Sequence, residues 1–183
     1  MERQKNKIEK LRQQERFWDT FADLREDPGV CSLKKYPNHR VSNLYDHSSR
    51  VALCAYDLSR RLHLSVDGSA LAKGAMLHDF YFYKAQGNEE IPYREHLFGH
   101  PMVALENART RFSLTKKEEN IITSHMWPLT ILHVPRSKEA VLVSVADKIC
   151  AFGEGVLRHT TIKKQHLKKA QAFRKPEKAL TQA

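Results

Sequence analysis

Apolar positions recur at helical spacing along most of the chain. Ile8, Leu11, Phe17, Trp18, Phe21 and Leu24 form a loose stripe that predicts an N-terminal helix ending near Asp27-Pro28-Gly29. The Phe17/Trp18 part of that stripe suits packing on the core or on a second copy. Val30 to Asn43 reads as irregular, with Pro37 and several basic residues. From Tyr45 to Leu64 the pattern sharpens: Val51, Cys54, Ala55, Leu58 and Leu62 follow i, i+3, i+4, i+7, i+11. His47 stands one turn before Val51 and so points to the same side. Asp67-Gly68-Ser69 predicts a turn, and Ala70, Leu71, Ala75 and Leu77 a short helix with His78 and Asp79 at its end.

Phe80 to Gly99 is aromatic and broken by Gly87-Asn88 and Ile91-Pro92, which predicts a long loop. Pro101 suits the first turn of the next helix, continued by Val103, Leu105, Ala108 and Phe112, with His100 at its N-terminal edge. Thr115-Lys116-Lys117-Glu118 is a capping box that opens a helix with Ile121 and His125 on one face, stopped by Trp127-Pro128. A last helix is expected from Ser137 to Phe152, ended by Gly153 and Gly155. Ala140, Ser144, Asp147 and Ala151 share one of its sides. No strand is expected. The whole predicts an all-α chain.

Composition narrows the class. A length of 183 residues fits one domain with a full core and some tail, and 41% hydrophobic content suits a globular protein. No apolar run approaches the roughly 18 residues that span a bilayer, and Met1 to Glu15 lacks the apolar centre of a signal peptide. A cytoplasmic location is therefore expected, with no membrane partner. Cys31, Cys54 and Cys150 are odd in number and lack C-x-x-C spacing, so buried free thiols are expected. The net charge of +10 sits mostly in the C-terminal segment, where Arg158, Lys163, Lys164, Lys168, Lys169, Arg174, Lys175 and Lys178 face the single acid Glu177. This reads as a solvated helix and tail, with RNA as the alternative partner. The expected division is an N-terminal helix over 1–29, a main domain over 30–157 and a basic helix or tail over 158–183.

Four histidines and two aspartates then stand out: His47, His78-Asp79, His100, His125 and Asp147. The adjacent pair offers one cation an imidazole nitrogen and a carboxylate, and the two oxygens of Asp79 suit a bridge between two cations. Mixed nitrogen and oxygen donors favour a divalent transition metal over calcium. A carboxylate on a helix that also carries Val143, Val145 and Ile149 calls for a cation or a donor.

The order His…His-Asp…Asp resembles the HD superfamily of metal-dependent phosphohydrolases, over about 43–154. The resemblance implies a single-domain HD-type helical bundle and a metal-dependent enzyme. His100 and His125 resemble the subset that binds two metals. By that likeness His47, His78, Asp79 and Asp147 would hold the first metal. Asp79, as the catalytic bridging ligand, would share the second with His100 and His125. His96 is the alternative to His100, which is preferred because His-Pro opening a helix matches the subset. His39, His63, His133, His159 and His166 are read as surface residues. The nitrogen-rich set points to two ions of iron, manganese, zinc or nickel.

Two such ions clamp phosphate oxygens and activate water. A phosphate substrate also needs cations from the protein, for which Arg50, Lys84, Arg94 and Lys148 are the candidates. Phe82-Tyr83 after His-Asp departs from the alarmone hydrolases, and no Gly-Tyr-Pro occurs as in the cyclic-di-GMP phosphodiesterases. The chain looks most like the small bacterial stand-alone hydrolases, which implies a nucleotide-like substrate, first of all a dinucleoside polyphosphate. The same six ligands also resemble mixed-valence di-iron oxygenases on this scaffold. A third reading is an RNA-binding protein with a structural metal.

Overall fold

The N-terminal stripe folds as α1 (Glu2–Asp19), so the helix expected to reach Asp27 stops at Asp19, and two short helices follow, α2 (Ala22–Glu26) and α3 (Pro28–Ser32). Asp27 ends the expected region and caps α3, its Oδ1 accepting from the backbone amides of Gly29 and Val30. The computed structural model describes residues 2–38, 42–83 and 92–173. Phe17 is buried and stacks on Tyr56 with ring centroids 4.3 Å apart, so the aromatic stripe packs on the chain's own core.

The stretch read as irregular holds more order than expected. A 3-10 turn spans Leu33–Lys35, and two-residue strands β1 (Pro37–Asn38) and β2 (Ser42–Asn43) pair antiparallel. This small ladder corrects the expectation of no strand. It was illegible because two residues carry no alternation.

Asn43 then caps α4 (Leu44–Arg61) by accepting from the Asp46 amide at 2.8 Å. His47, Val51, Ala52 and Ala55 form the buried face of α4. Asp67 caps α5 (Gly68–Leu77) through the Ala70 amide. Seven of the ten residues of α5 are buried, with Lys73 the one charged side chain on the helix. It is closely packed: a Cβ built on Gly74 would lie 2.6 Å from Ile121 Cγ2.

Two further helices differ from the sequence reading. α6 runs from Tyr93 to Arg111 and encloses Pro101, so His100 sits within the helix and the expected loop is shorter. Pro92 at the N-cap supplies the start signal nearer the N-terminus, and α6 forgoes one backbone bond at Pro101. α7 (Lys116–Ser124) begins with the expected capping box between Thr115 and Glu118. α8 runs from Lys138 to Phe173, straight through Gly153 and Gly155. Each glycine costs a helix about 1 kcal/mol against alanine, but Glu154 between them is buried and bonded to α4, which holds the helical path.

α4 packs on α5 and α8, while α7 packs on α5, α6 and α8. The core of Val51, Leu71, Leu77, Ile121, Ile122 and Val143 lies between them. The three cysteines are free but only half-buried, a correction to the buried thiols expected. Among the described residues no helix is long and apolar enough to cross a membrane.

Candidate metal centre

Each of the six residues sits at or near a helix end, or on a helix's inner face. His47 lies in the first turn of α4, His78 caps the C-terminus of α5 with Asp79 next, and His125 caps the C-terminus of α7. His100 comes from α6 and Asp147 from α8. The four imidazoles and Asp79 are buried, and Asp147 nearly so.

The two oxygens of Asp79 face different histidine pairs. Oδ2 is 3.5 Å from His78 Nε2 and 4.0 Å from His47 Nε2. Oδ1 is 3.4 Å from His100 Nε2 and 3.7 Å from His125 Nε2. Asp147 Oδ1 joins the first pair, 3.1 Å from His47 Nε2 and 3.7 Å from His78 Nε2. Two triads have ligand atoms within 4.8 Å of one another: His47, His78 and Asp147, and His78, Asp79 and His125.

The donors fit a cation. His78 Nδ1, His100 Nδ1 and His125 Nδ1 each donate to a backbone carbonyl of the preceding turn, those of Ala75, His96 and Ile122. A neutral ring fixed in this way leaves Nε2 as a bare acceptor. Yet His100 Nε2 and His125 Nε2 stand 2.8 Å apart, lone pair against lone pair unless a positive charge lies there. His78 Nε2 and Asp79 Oδ1 are buried without a hydrogen-bond partner. Such atoms are costly without a ligand.

A family model, that of the HD domain, matches residues 44–151. The chain belongs to the HD-domain family. This superfamily consists mostly of metal-dependent hydrolases, and the match spans the stretch from α4 into α8 that brings the six residues together. Neither a curated protein nor a solved structure matches the chain.

Within this HD domain the charges of the side chains are strongly coupled. Burial opposes a charged His47, but hydrogen bonds to Asp147 and Glu154 override it and raise His47 to about 10. Burial alone would raise Asp79, yet His78, His100, His125 and His47 around it hold it at about 2. Burial, together with His78 and His100, depresses His125 to about 3. In chelated protein the raised His47 stabilises fully below its unfolded value near ~6.5, and that contribution is lost as pH rises toward about 10. His125 acts in the opposite window. Its unfolded ring takes a proton below ~6.5 that the buried ring refuses until about 3, so stability also falls with acidification. Thermal unfolding of chelated protein across pH should therefore peak near ~6.5. A midpoint that rises steadily from acid to alkaline pH would contradict these assignments.

The other residues read from the sequence fall differently. His96 stacks on His100, and its Nδ1 faces the Tyr83 hydroxyl at 3.1 Å; His100 is the one that reaches Asp79. Lys148 Nζ donates to the His125 carbonyl, the Ser144 carbonyl and Ser144 Oγ. Arg50 is ion-paired with Glu154. Arg94 is exposed in the first turn of α6, and Lys84 lies outside the described residues. His63 and His133 are not buried; His39, and the side chains of His159 and His166, lie outside what is described.

Glu154 is the residue that sequence reasoning missed. Its signal was present, an acid seven positions after Asp147 and so on the same helix face. Ending the helix at Gly153 removed that face from view.

Proposed function

We propose that this HD domain is a metal-dependent phosphohydrolase that cleaves a phosphoester or phosphoanhydride of a nucleotide-like substrate, with dinucleoside polyphosphates as the first class to test. The observation that carries the reading is Asp79, whose two oxygens face separate histidine pairs at 3.4–4.0 Å, as a bridging carboxylate requires. On this reading His47, His78, Asp79 and Asp147 hold one divalent ion, and Asp79, His100 and His125 hold the other. Ions held there supply an activated water and a positive clamp for phosphate oxygens.

The chain's own residues do the rest. Three imidazoles are locked by backbone carbonyls, so their nitrogens face inward without a search. Tyr81, buried against His96 and His100, walls off water on the α6 side. Burial and the nearby Asp79 hold its phenol well above the ordinary value, so it stays a hydrogen-bond donor at neutral pH. Exposed Arg94, together with Lys84, is assigned to the substrate phosphates. Arg50 and Lys148 are assigned to the frame, because their charged groups already bond Glu154 and the His125 carbonyl.

The test is metal analysis of purified protein, then a panel of nucleotide phosphates with manganese, iron, nickel or zinc added back, run with and without dioxygen. Phosphate release without dioxygen is expected. Turnover that requires dioxygen would overturn the hydrolase in favour of an oxygenase on the same ligands.

A further inference from the structure

His47 differs from the other three histidines in what orients it. His78, His100 and His125 each seat Nδ1 on a carbonyl of the preceding turn, a contact that the helix itself supplies. His47 is held from another helix. Its Nδ1 instead lies 3.0 Å from Glu154 Oε1, on α8. A carboxylate oxygen only accepts, so Nδ1 donates and Nε2 is the nitrogen turned to Asp147 and Asp79.

Glu154 is itself held on several sides. Arg50 Nη2 bonds Oε1 from one turn further along α4, and Ser42 Oγ donates to Oε2 at 3.2 Å from β2. The carboxylate is buried, and such a group is tolerated only where its charge and lone pairs are met. We propose that Glu154 is a positioning residue of the metal centre: it fixes the tautomer and angle of His47 and strengthens it as a ligand, while Arg50 and Ser42 hold Glu154 in place. The inference rests on the metal reading given above. α8 then serves one ion twice, through Asp147 as ligand and through Glu154 as the orienter of His47.

A purely structural cross-link between α4 and α8 would give the same contacts, so the test must read the imidazole and the metal. Co(II) binding is followed by visible absorption with chelator competition, in full-length wild type, Glu154→Gln and Glu154→Ala. Nitrogen-15 NMR of histidine-labelled protein loaded with diamagnetic Zn(II), in which His47 is neutral, reports the His47 tautomer, and thermal unfolding of chelated protein reports folding. Glutamine keeps an acceptor for Nδ1 without the charge, and alanine keeps neither. The expected result is an affinity loss of about 10–100-fold in Glu154→Ala, a smaller loss in Glu154→Gln, and a changed His47 tautomer only in the alanine variant. Should Glu154→Ala fail to fold, the glutamine variant carries the decision, with weaker Co(II) binding by folded protein as the expected result. Wild-type affinity in a folded variant would overturn the inference alone. Wild type that takes up no Co(II) would overturn the metal reading, and this inference with it.

Discussion

Asp79→Ala should abolish metal uptake and phosphate release together while leaving the helices formed. Asp79 is the residue whose oxygens reach both histidine pairs, so its loss removes a ligand from each proposed ion at once. Replacing any single histidine removes a ligand from one ion only. The ordering of effects is thus part of the prediction: Asp79→Ala falls to background, and His100→Ala or His125→Ala leaves one ion bound. Elemental analysis of the purified variants and phosphate release by folded protein decide it. The variant also strips the buried imidazoles of their counter-charge, which burial would otherwise keep neutral. Circular dichroism must therefore accompany the assay. A folded, metal-free Asp79→Ala protein with full phosphatase activity would place the chemistry elsewhere.

Gly74→Ala should be among the most destabilising single-methyl additions in the domain. The added carbon would meet Ile121 Cγ2 at 2.6 Å and Ile121 Cβ at 2.8 Å. Cβ is tied to the α7 backbone, so a rotamer change alone does not clear the clash. Overpacking of a filled core costs about 1–3 kcal/mol, and here the strain falls one turn before His125. Urea unfolding should show that loss, with weaker metal binding beside it. Ile121→Ala removes Cγ2 and Cδ1 but leaves Cβ, and by itself opens a cavity. The double variant should then be less destabilised than the sum of the two single ones. Strict additivity would mean that α5 and α7 do not press on each other at this point.

What the sequence conveyed was the chemistry that periodicity can carry. His47 was legible because it stands one turn before Val51 on the buried face of α4, and both are buried. Asp147 was placed on the side of Ala140 and Ser144, and those residues are buried too. Val145 and Ile149, once part of the case for a buried Asp147, turn out half-exposed. Asp147 is enclosed by histidines from other helices rather than by its own apolar neighbours. Partners were what the sequence withheld. Arg50 and Lys148 were visible as charges, but the carboxylate and carbonyl that engage them come from residues far along the chain. Gly153 and Gly155 predicted an end to α8 because propensity is local. The bonds of Glu154 that hold the helix there are long-range.

The carbonyl seats of His78, His100 and His125 bear on the order of events in the life of the protein. These rings are set by the same backbone bonding that makes α5, α6 and α7, so they are aligned as soon as the helices are. Folding is thus expected before loading, unlike small zinc modules that stay unstructured until their ion arrives, and chelated protein should keep its helical circular dichroism. A chain fresh from synthesis would then be a ready receptacle, and which ion it took up would depend on what the surroundings offered first.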